Sequence, residues 1–196
     1  SFLGHVVSQN GIEPDPKKVA AVVDWPVPTG LAELRGFCGL CSYYRNFIKH
    51  LSIIAAPLFD LVKKGVAFVW TERCQSAFET LKARLTSAPV LAPPVDGGGY
   101  VLDVDACDVG IGGVLQQWQD EELRVIGSAS RTLSKPERAY CTTRKEQLAV
   151  VYGLKQFRPY ILGQNDTIVR SDHAALTYLK RAKEPIGQQA HWLDFI

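Results

Sequence analysis

An α/β (α+β) chain is predicted, with a helical first half and a mixed sheet flanked by helices in the second. Three observations carry that prediction. Apolar residues recur at spacings of three and four through about residue 85. A proline- and glycine-rich stretch, Ala92-Pro-Pro-Val-Asp-Gly-Gly-Gly99, then interrupts all periodicity. Beyond it, alternating and β-branched runs give the order βββαβα, which suits one mixed sheet in a layered fold.

The elements follow in order. Phe2–Val7 reads as a strand and Gln9-Asn-Gly11 as a tight turn with positive φ; the partner strand is expected upstream of residue 1. Asp15 caps a short helix with Pro16 at its first position, and Trp25-Pro-Val-Pro28 breaks it. Thr29 is placed to cap a helix over roughly 31–48, with Leu31, Leu34, Phe37, Cys38, Cys41, Tyr44 and Phe47 or Ile48 as its stripe. A helix over about 54–63 follows, with Pro57 early in it. Thr71 caps another over about 72–85, striped by Cys74, Ala77, Phe78, Leu81 and Leu85. Strands are expected at about 100–106, 111–118 and 123–129, a long helix at about 136–158, a strand at about 166–171 and a helix at about 173–181. A last helical segment begins near 187.

Composition narrows the function. With 196 residues, 46% hydrophobic and 21% charged, the chain is globular and sized for one large or two small domains. A net charge of +2 does not announce a nucleic-acid binder, so any such role rests on local patches. No apolar run approaches the roughly 20 residues of a membrane span. Cys38-x-x-Cys41 lies within an amphipathic helical pattern with no second ligand pair nearby, so these two read as small core residues, and the five scattered cysteines suit a reducing, intracellular setting, cytoplasmic or nuclear. The absence of Met, even at position 1, leads us to expect a fragment of a longer polypeptide.

Three carboxylates stand in settings that chemistry can use. Asp105 ends the strand-like run Tyr100–Ala106, Glu146 lies in the helix-like run Thr143–Val150, and Asp172 ends Thr167–Asp172. Singly, each is an ordinary strand-end turn former, helix cap or solvated acid. Together, in β-β-β-α-β order, they can converge as a two-metal phosphodiester-cleaving site requires, because hard cations take oxygen ligands. Alternation points Asp103 and Asp105 the same way, so either can be the ligand. Asp105 is preferred because small residues after it, Gly110-Ile-Gly-Gly113, let a backbone or phosphate approach.

Several longer motifs then name a family. Arg35-Gly-Phe-Cys-Gly-Leu-Cys-Ser-Tyr-Tyr-Arg-Asn-Phe-Ile48 resembles the thumb-helix signature of Ty3/gypsy-type retrotransposon reverse transcriptases, and Phe2-Leu-Gly-His5 the end of their palm. Phe68-Val-Trp-Thr71 and Leu85–Leu91 resemble the stretch joining thumb to ribonuclease H. Val104–Gly112, Ala129–Ser134, Lys145–Val150 and Arg170-Ser-Asp-His173 resemble the ribonuclease H core. The resemblance implies a division into a palm remnant (1–12), a helical thumb or connection (13–92), a linker (93–99) and a ribonuclease H-like domain (100–196) lacking its C-terminal strand and helix. It implies an endonuclease cutting RNA in an RNA/DNA hybrid, with two Mg²⁺ (or Mn²⁺) ions held by Asp105, Glu146 and Asp172. The paired polymerase aspartates are expected upstream of residue 1, and Asp194 lies too early to match the family's fourth acid. Cys107 and Arg144 replace a usual Ser and a frequent acid.

The implied partners are the RNA/DNA hybrid, a primer/template duplex and the rest of the Pol polyprotein. Tyr43, Arg45, Asn46 and Lys49 are expected to face the duplex. Arg131, Arg144 and His173 belong to a phosphate-binding rim. The competing expectations are a catalytically incomplete nucleic-acid-binding module and a domesticated structural remnant.

Overall fold

The computed structural model describes residues 3–164 and 166–172. The helices expected from 173 and from 187, and His173 itself, lie outside the described residues.

The chain opens with a hairpin, β1 (His5–Ser8) and β2 (Gly11–Pro14), antiparallel in the register Ser8↔Gly11 to His5↔Pro14. Among the described residues the first strand is paired by the strand that follows the turn, and Gly11 (φ +130°) takes the positive φ in place of Asn10. Helix α1 (Pro16–Val23) starts as its sequence signals dictate: the Asp15 carboxylate accepts from the Lys17 N–H at 2.9 Å.

Helix α2 (Leu31–Tyr43) is capped by Gly30, while Thr29 bonds the Glu33 carboxylate through both its N–H (2.8 Å) and its hydroxyl (3.0 Å). It stops well short of residue 48. Tyr44 is buried with its hydroxyl on the Gly4 carbonyl (2.7 Å), and Arg45–Phe47 form a 3₁₀ turn. The helix expected over 54–63 is two short pieces, α3 (Leu51–Ile54) and α4 (Ala56–Leu61), with Pro57 in the first turn of the second. Helix α5 (Glu72–Thr86) is capped by Thr71, and all five of its striped residues are buried. They meet Leu34, Phe37, Cys41, Leu51 and Leu58 in one apolar cluster. Burial pushes the Cys38 and Cys41 thiols up to about 11 and about 12, so both are protonated core residues.

The second cluster forms under a four-stranded mixed sheet of order β5-β4-β3-β6. Strands β3 (Tyr100–Ala106), β4 (Gly110–Gln119) and β5 (Glu122–Thr132) are antiparallel neighbours, and β6 (Thr167–Arg170) adds parallel to β3. The β4–β5 connection is a two-residue turn in which Asp120 and Glu121 both have positive φ.

The helix expected over 136–158 is three pieces: α6 (Lys135–Arg138), α7 (Thr142–Gln156) and α8 (Arg158–Ile161). Ser134 and Glu137 build a capping box for the first, Cys141 starts the second, and Pro159, which has no N–H, ends the continuous run. Helix α7 lies directly on β3. A Cβ at Gly153 would stand 3.1 Å from Val104 and 3.2 Å from Leu102, so glycine sets the approach.

Residues 92–99 are strapped rather than loose. The buried Gln117 side chain exchanges hydrogen bonds with Val95 (2.9 and 2.8 Å) and reaches the Gly98 carbonyl (3.0 Å), while Gln119 donates to the Pro93 carbonyl (2.8 Å).

Candidate metal centre

The parallel pairing of β3 with β6 and the packing of α7 across β3 bring three acids to one end of the sheet. Asp105 comes from the last turn of the pleat in β3, Glu146 from the second turn of α7, and Asp172 from just beyond β6. Each offers a carboxylate oxygen, and these oxygens lie within 4.8 Å of one another. Glu146 is 3% exposed, Asp105 half-exposed and Asp172 exposed.

Burial in this setting pushes the Glu146 carboxyl above the usual glutamate range, and the Asp172 and Asp105 charges push it further. Two donors oppose them: the Ser171 hydroxyl at 3.3 Å from Oε2 and the Ala106 N–H. A buried acid facing two more acids is costly unless a cation offsets them. The donor set is all oxygen, so it fits a hard divalent ion.

Asp103, the alternative to Asp105, is committed elsewhere. Its carboxylate takes Arg170 in a fork (2.6 and 2.8 Å) and the Gln116 amide (2.7 Å). This brace ties β6 to β3 two residues before Asp105 on one side and two before Asp172 on the other. Alternation leaves both aspartates open and the small residues after Asp105 favour that one; the pairing of Asp103 with Arg170 agrees with that preference.

The expected basic residues have varied surroundings. Tyr43 and Lys49 are exposed, although the Tyr43 hydroxyl is bonded to the Leu3 carbonyl. Arg45 and Asn46 line a cleft of about 320 Å³ together with Ser128, Ser130, Tyr152 and Tyr160. Arg131 is gripped bidentately by Glu137 (2.8 and 2.9 Å), and Arg144 stacks 4.1 Å from the Tyr140 ring centroid. Lys145, beside Arg144, is buried with its ammonium on Asp108 (2.8 Å).

One neighbour of the cluster escaped the sequence reading. His50, from the segment before α3, places Nε2 3.7 Å from Asp105 Oδ2. No spacing relates the two residues. The available signal was the pair of glycines facing that segment: a Cβ on Gly112 would stand 3.0 Å from His50 Nδ1, and one on Gly110 2.8 Å from Ile53. The close approach expected of these glycines is therefore made by side chains of the helical half.

A family model described as the RNase H-like domain found in reverse transcriptase matches residues 70–169. The chain belongs to that family. Among curated proteins this RNase H-like chain is 39% identical over 194 residues to the retrovirus-related Pol polyprotein from transposon 297 of Drosophila melanogaster, covering 98% of the chain and 18% of that protein. It is 33% identical over 207 residues to the Pol polyprotein from transposon gypsy of the same organism, covering 100% and 20%. The Tf2-3 transposon polyprotein of Schizosaccharomyces pombe is 35% identical over 199 residues, covering 100% and 15%. The RNase H-like chain thus spans a fifth or less of these relatives, and they bear out the gypsy-type Pol resemblance read from its motifs.

Among solved structures, the foamy viral protease-reverse transcriptase dRH in complex with double-stranded DNA superposes with a TM-score of 0.77 at 21% identity, covering 99% of this chain and 35% of that one. The foamy viral protease-reverse transcriptase in complex with RNA/DNA hybrid gives 0.75 at 22% identity, covering 99% and 27%. Both share the fold of the RNase H-like chain, including its mixed sheet flanked by helices.

Proposed function

We propose that this chain is the part of a retroelement reverse transcriptase that cuts the RNA strand of an RNA/DNA hybrid, acting inside the cell. The convergence of Asp105, Glu146 and Asp172 from three separate elements, with Glu146 buried, carries this reading. Two Mg²⁺ ions, with Mn²⁺ as a substitute, would supply the positive charge that offsets the attacking and leaving oxygens of an in-line displacement. The three carboxylates would hold them. Ser171 and the Ala106 N–H orient Glu146, and the Asp103–Arg170 fork keeps β6 in register so that Asp172 stays beside Asp105.

Residues 13–92 would act as the thumb, with 1–12 the end of a palm and 93–99 joining thumb to ribonuclease H. Tyr43 and Lys49 face outward and would touch the duplex, while Arg45 and Asn46 would take phosphates at the mouth of their cleft. Arg131 and Arg144, preset by Glu137 and Tyr140, and His173 would complete the rim. Hybrid recognition through backbone shape and 2′-hydroxyls suits this sparse, sequence-blind set.

The test is cleavage of an end-labelled hybrid with Mg²⁺ and with Mn²⁺, using Asp105→Asn as control. The expected result is cleavage by the parent chain and none by the variant, with hybrid affinity kept. An Asp105→Asn variant that cuts as well as the parent would falsify the site assignment. Hybrid binding without cleavage by the parent would make the chain a binding module instead.

A further inference from the structure

The segment joining α2 to α4 is built into the sheet. His50 adopts φ +60°, ψ +26°, a left-handed conformation that residues with a Cβ rarely take. Two hydrogen bonds hold the segment on β5: the Ser52 N–H donates to Ser130 Oγ (2.9 Å) and the Ser52 hydroxyl to the Ser130 carbonyl (3.0 Å). On β4, Gly110 and Gly112 leave room for Ile53 and the His50 ring. Four features on three elements thus agree on one placement, and its end point is His50 Nε2 beside Asp105.

The ring's other nitrogen decides its proton. His50 Nδ1 is buried with no hydrogen-bond partner among the described residues. A buried N–H without an acceptor is rarer and costlier than a bare lone pair. The neutral tautomer therefore carries its proton on Nε2, directed toward the Asp105 carboxylate. At 3.7 Å this is too long for a direct hydrogen bond, so the influence is that of an oriented N–H dipole and a rigid wall beside the carboxylate.

We propose, on the reading of the acid cluster as a cation site, that His50 is a positioning residue for Asp105, so that the helical half completes the site from outside the ribonuclease H sheet. The ring stands beside the Asp105 carboxylate on the side of the helical half, and in that place it would favour the orientation that keeps Asp105 with Glu146 and Asp172. Outer partners of ligating carboxylates typically influence metal affinity by roughly 10–100-fold.

The experiment counts Mn²⁺ bound to the whole chain by loss of the free-ion paramagnetic resonance signal, with a melting curve for each protein. The parent chain is compared with His50→Ala, His50→Gln, Asp105→Asn and Leu81→Ala. Leu81 is fully buried in the helical cluster, away from the acids, and serves as the stability control. Expected is a loss of Mn²⁺ affinity of about 10-fold in His50→Ala. His50→Gln, whose amide N–H reaches about as far as Nε2, should recover most of it. Leu81→Ala should lower the melting temperature and leave affinity alone. Parent-like affinity in His50→Ala, no recovery in His50→Gln, or an equal loss in Leu81→Ala overturns the proposal while the cation site stands. A parent chain that binds no Mn²⁺, or an Asp105→Asn variant that binds as tightly, overturns the cation site and this inference with it.

Discussion

Replacing Glu146 by glutamine should make the metal-free protein more stable. The carboxylate is 3% exposed and has two acidic neighbours whose oxygens lie within 4.8 Å. At that separation each pair of charges repels by about 0.9 kcal/mol in water and about 3.5 kcal/mol at an effective dielectric of about 20. Asp105 and Asp172 both reach solvent, so the lower end applies. Two neighbours then contribute about 2 kcal/mol, and burial adds to it. Glutamine keeps the shape, still accepts a hydrogen bond from Ala106 or Ser171, and carries no charge.

The expected gain at pH 7 is therefore about 2 kcal/mol, or a rise of roughly 4–8 °C in melting temperature for a chain of this size. The sign with pH follows from the raised carboxyl. Below 4.5 the group is protonated in both the folded and unfolded chain, and the difference between parent and variant vanishes. The penalty on the parent grows as pH climbs from 4.5 toward the folded-state value and is complete above it. Added Mg²⁺ should reverse the order, stabilising the parent by mass action and the variant much less. Calorimetry in a chelator and then in Mg²⁺, at acid and neutral pH, reads all of this. A variant less stable than the parent in chelator at pH 7, or one that gains as much from Mg²⁺, would refute the reasoning.

Further expectations concern the neighbours. Gly110→Ala should cost about 1–3 kcal/mol in denaturant unfolding, because its Cβ meets the Arg131 carbonyl at 2.9 Å and no side-chain rotation relieves a backbone contact; an unchanged midpoint would contradict the docking geometry. Glu137→Gln should cost about 1 kcal/mol at pH 7, discounted for the partial exposure of Arg131. Arg131 and Ser134 hold the Glu137 carboxyl down to about 2, so that contribution is present above 4.5 and disappears as pH falls toward 2; a difference that persists below that would be unexplained. Asp103→Ala should lower stability by about 1 kcal/mol yet keep Mn²⁺ binding within a few-fold of the parent; loss equal to that of Asp105→Asn would make Asp103 the ligand.

Local signals were legible wherever local chemistry decides. Asp15 followed by Pro16, Thr71 before a three-and-four stripe, and the alternation of β3 each specify an element with no tertiary help. What escaped is decided at a distance. The residues after Tyr43 keep a helical pattern, but the pull of Tyr44 on Gly4 and the docking of His50 and Ser52 on the sheet turn the chain away. The run 136–158 hides two successive helix starts, at Ser134 and at Cys141, behind one continuous apolar stripe. In the site, strand-end and helix settings together with the family motifs pointed to Asp105, Glu146 and Asp172. The small residues that follow Asp105 favour it over Asp103; the independent reason, the pairing of Asp103 with Arg170, lies 67 residues away along the chain and could not be read locally. The residues strapping 92–99 are glutamines, whose ordinary place is the surface, so composition gave no hint of them.

The same 67-residue span has a consequence for the order of folding. The β4–β5 hairpin closes through a two-residue turn and pays little loop entropy, and β3 joins it across a short connection. Strand β6 can pair with β3 only after α6, α7 and α8 have crossed over. Asp172 is thus the last acid to arrive, and its repulsion enters when most of the core is already formed. The electrostatic cost of the centre then falls mainly on how fast the finished fold opens and little on how fast it forms. A bound cation would act on the same quantity, slowing the loss of the structure that holds it.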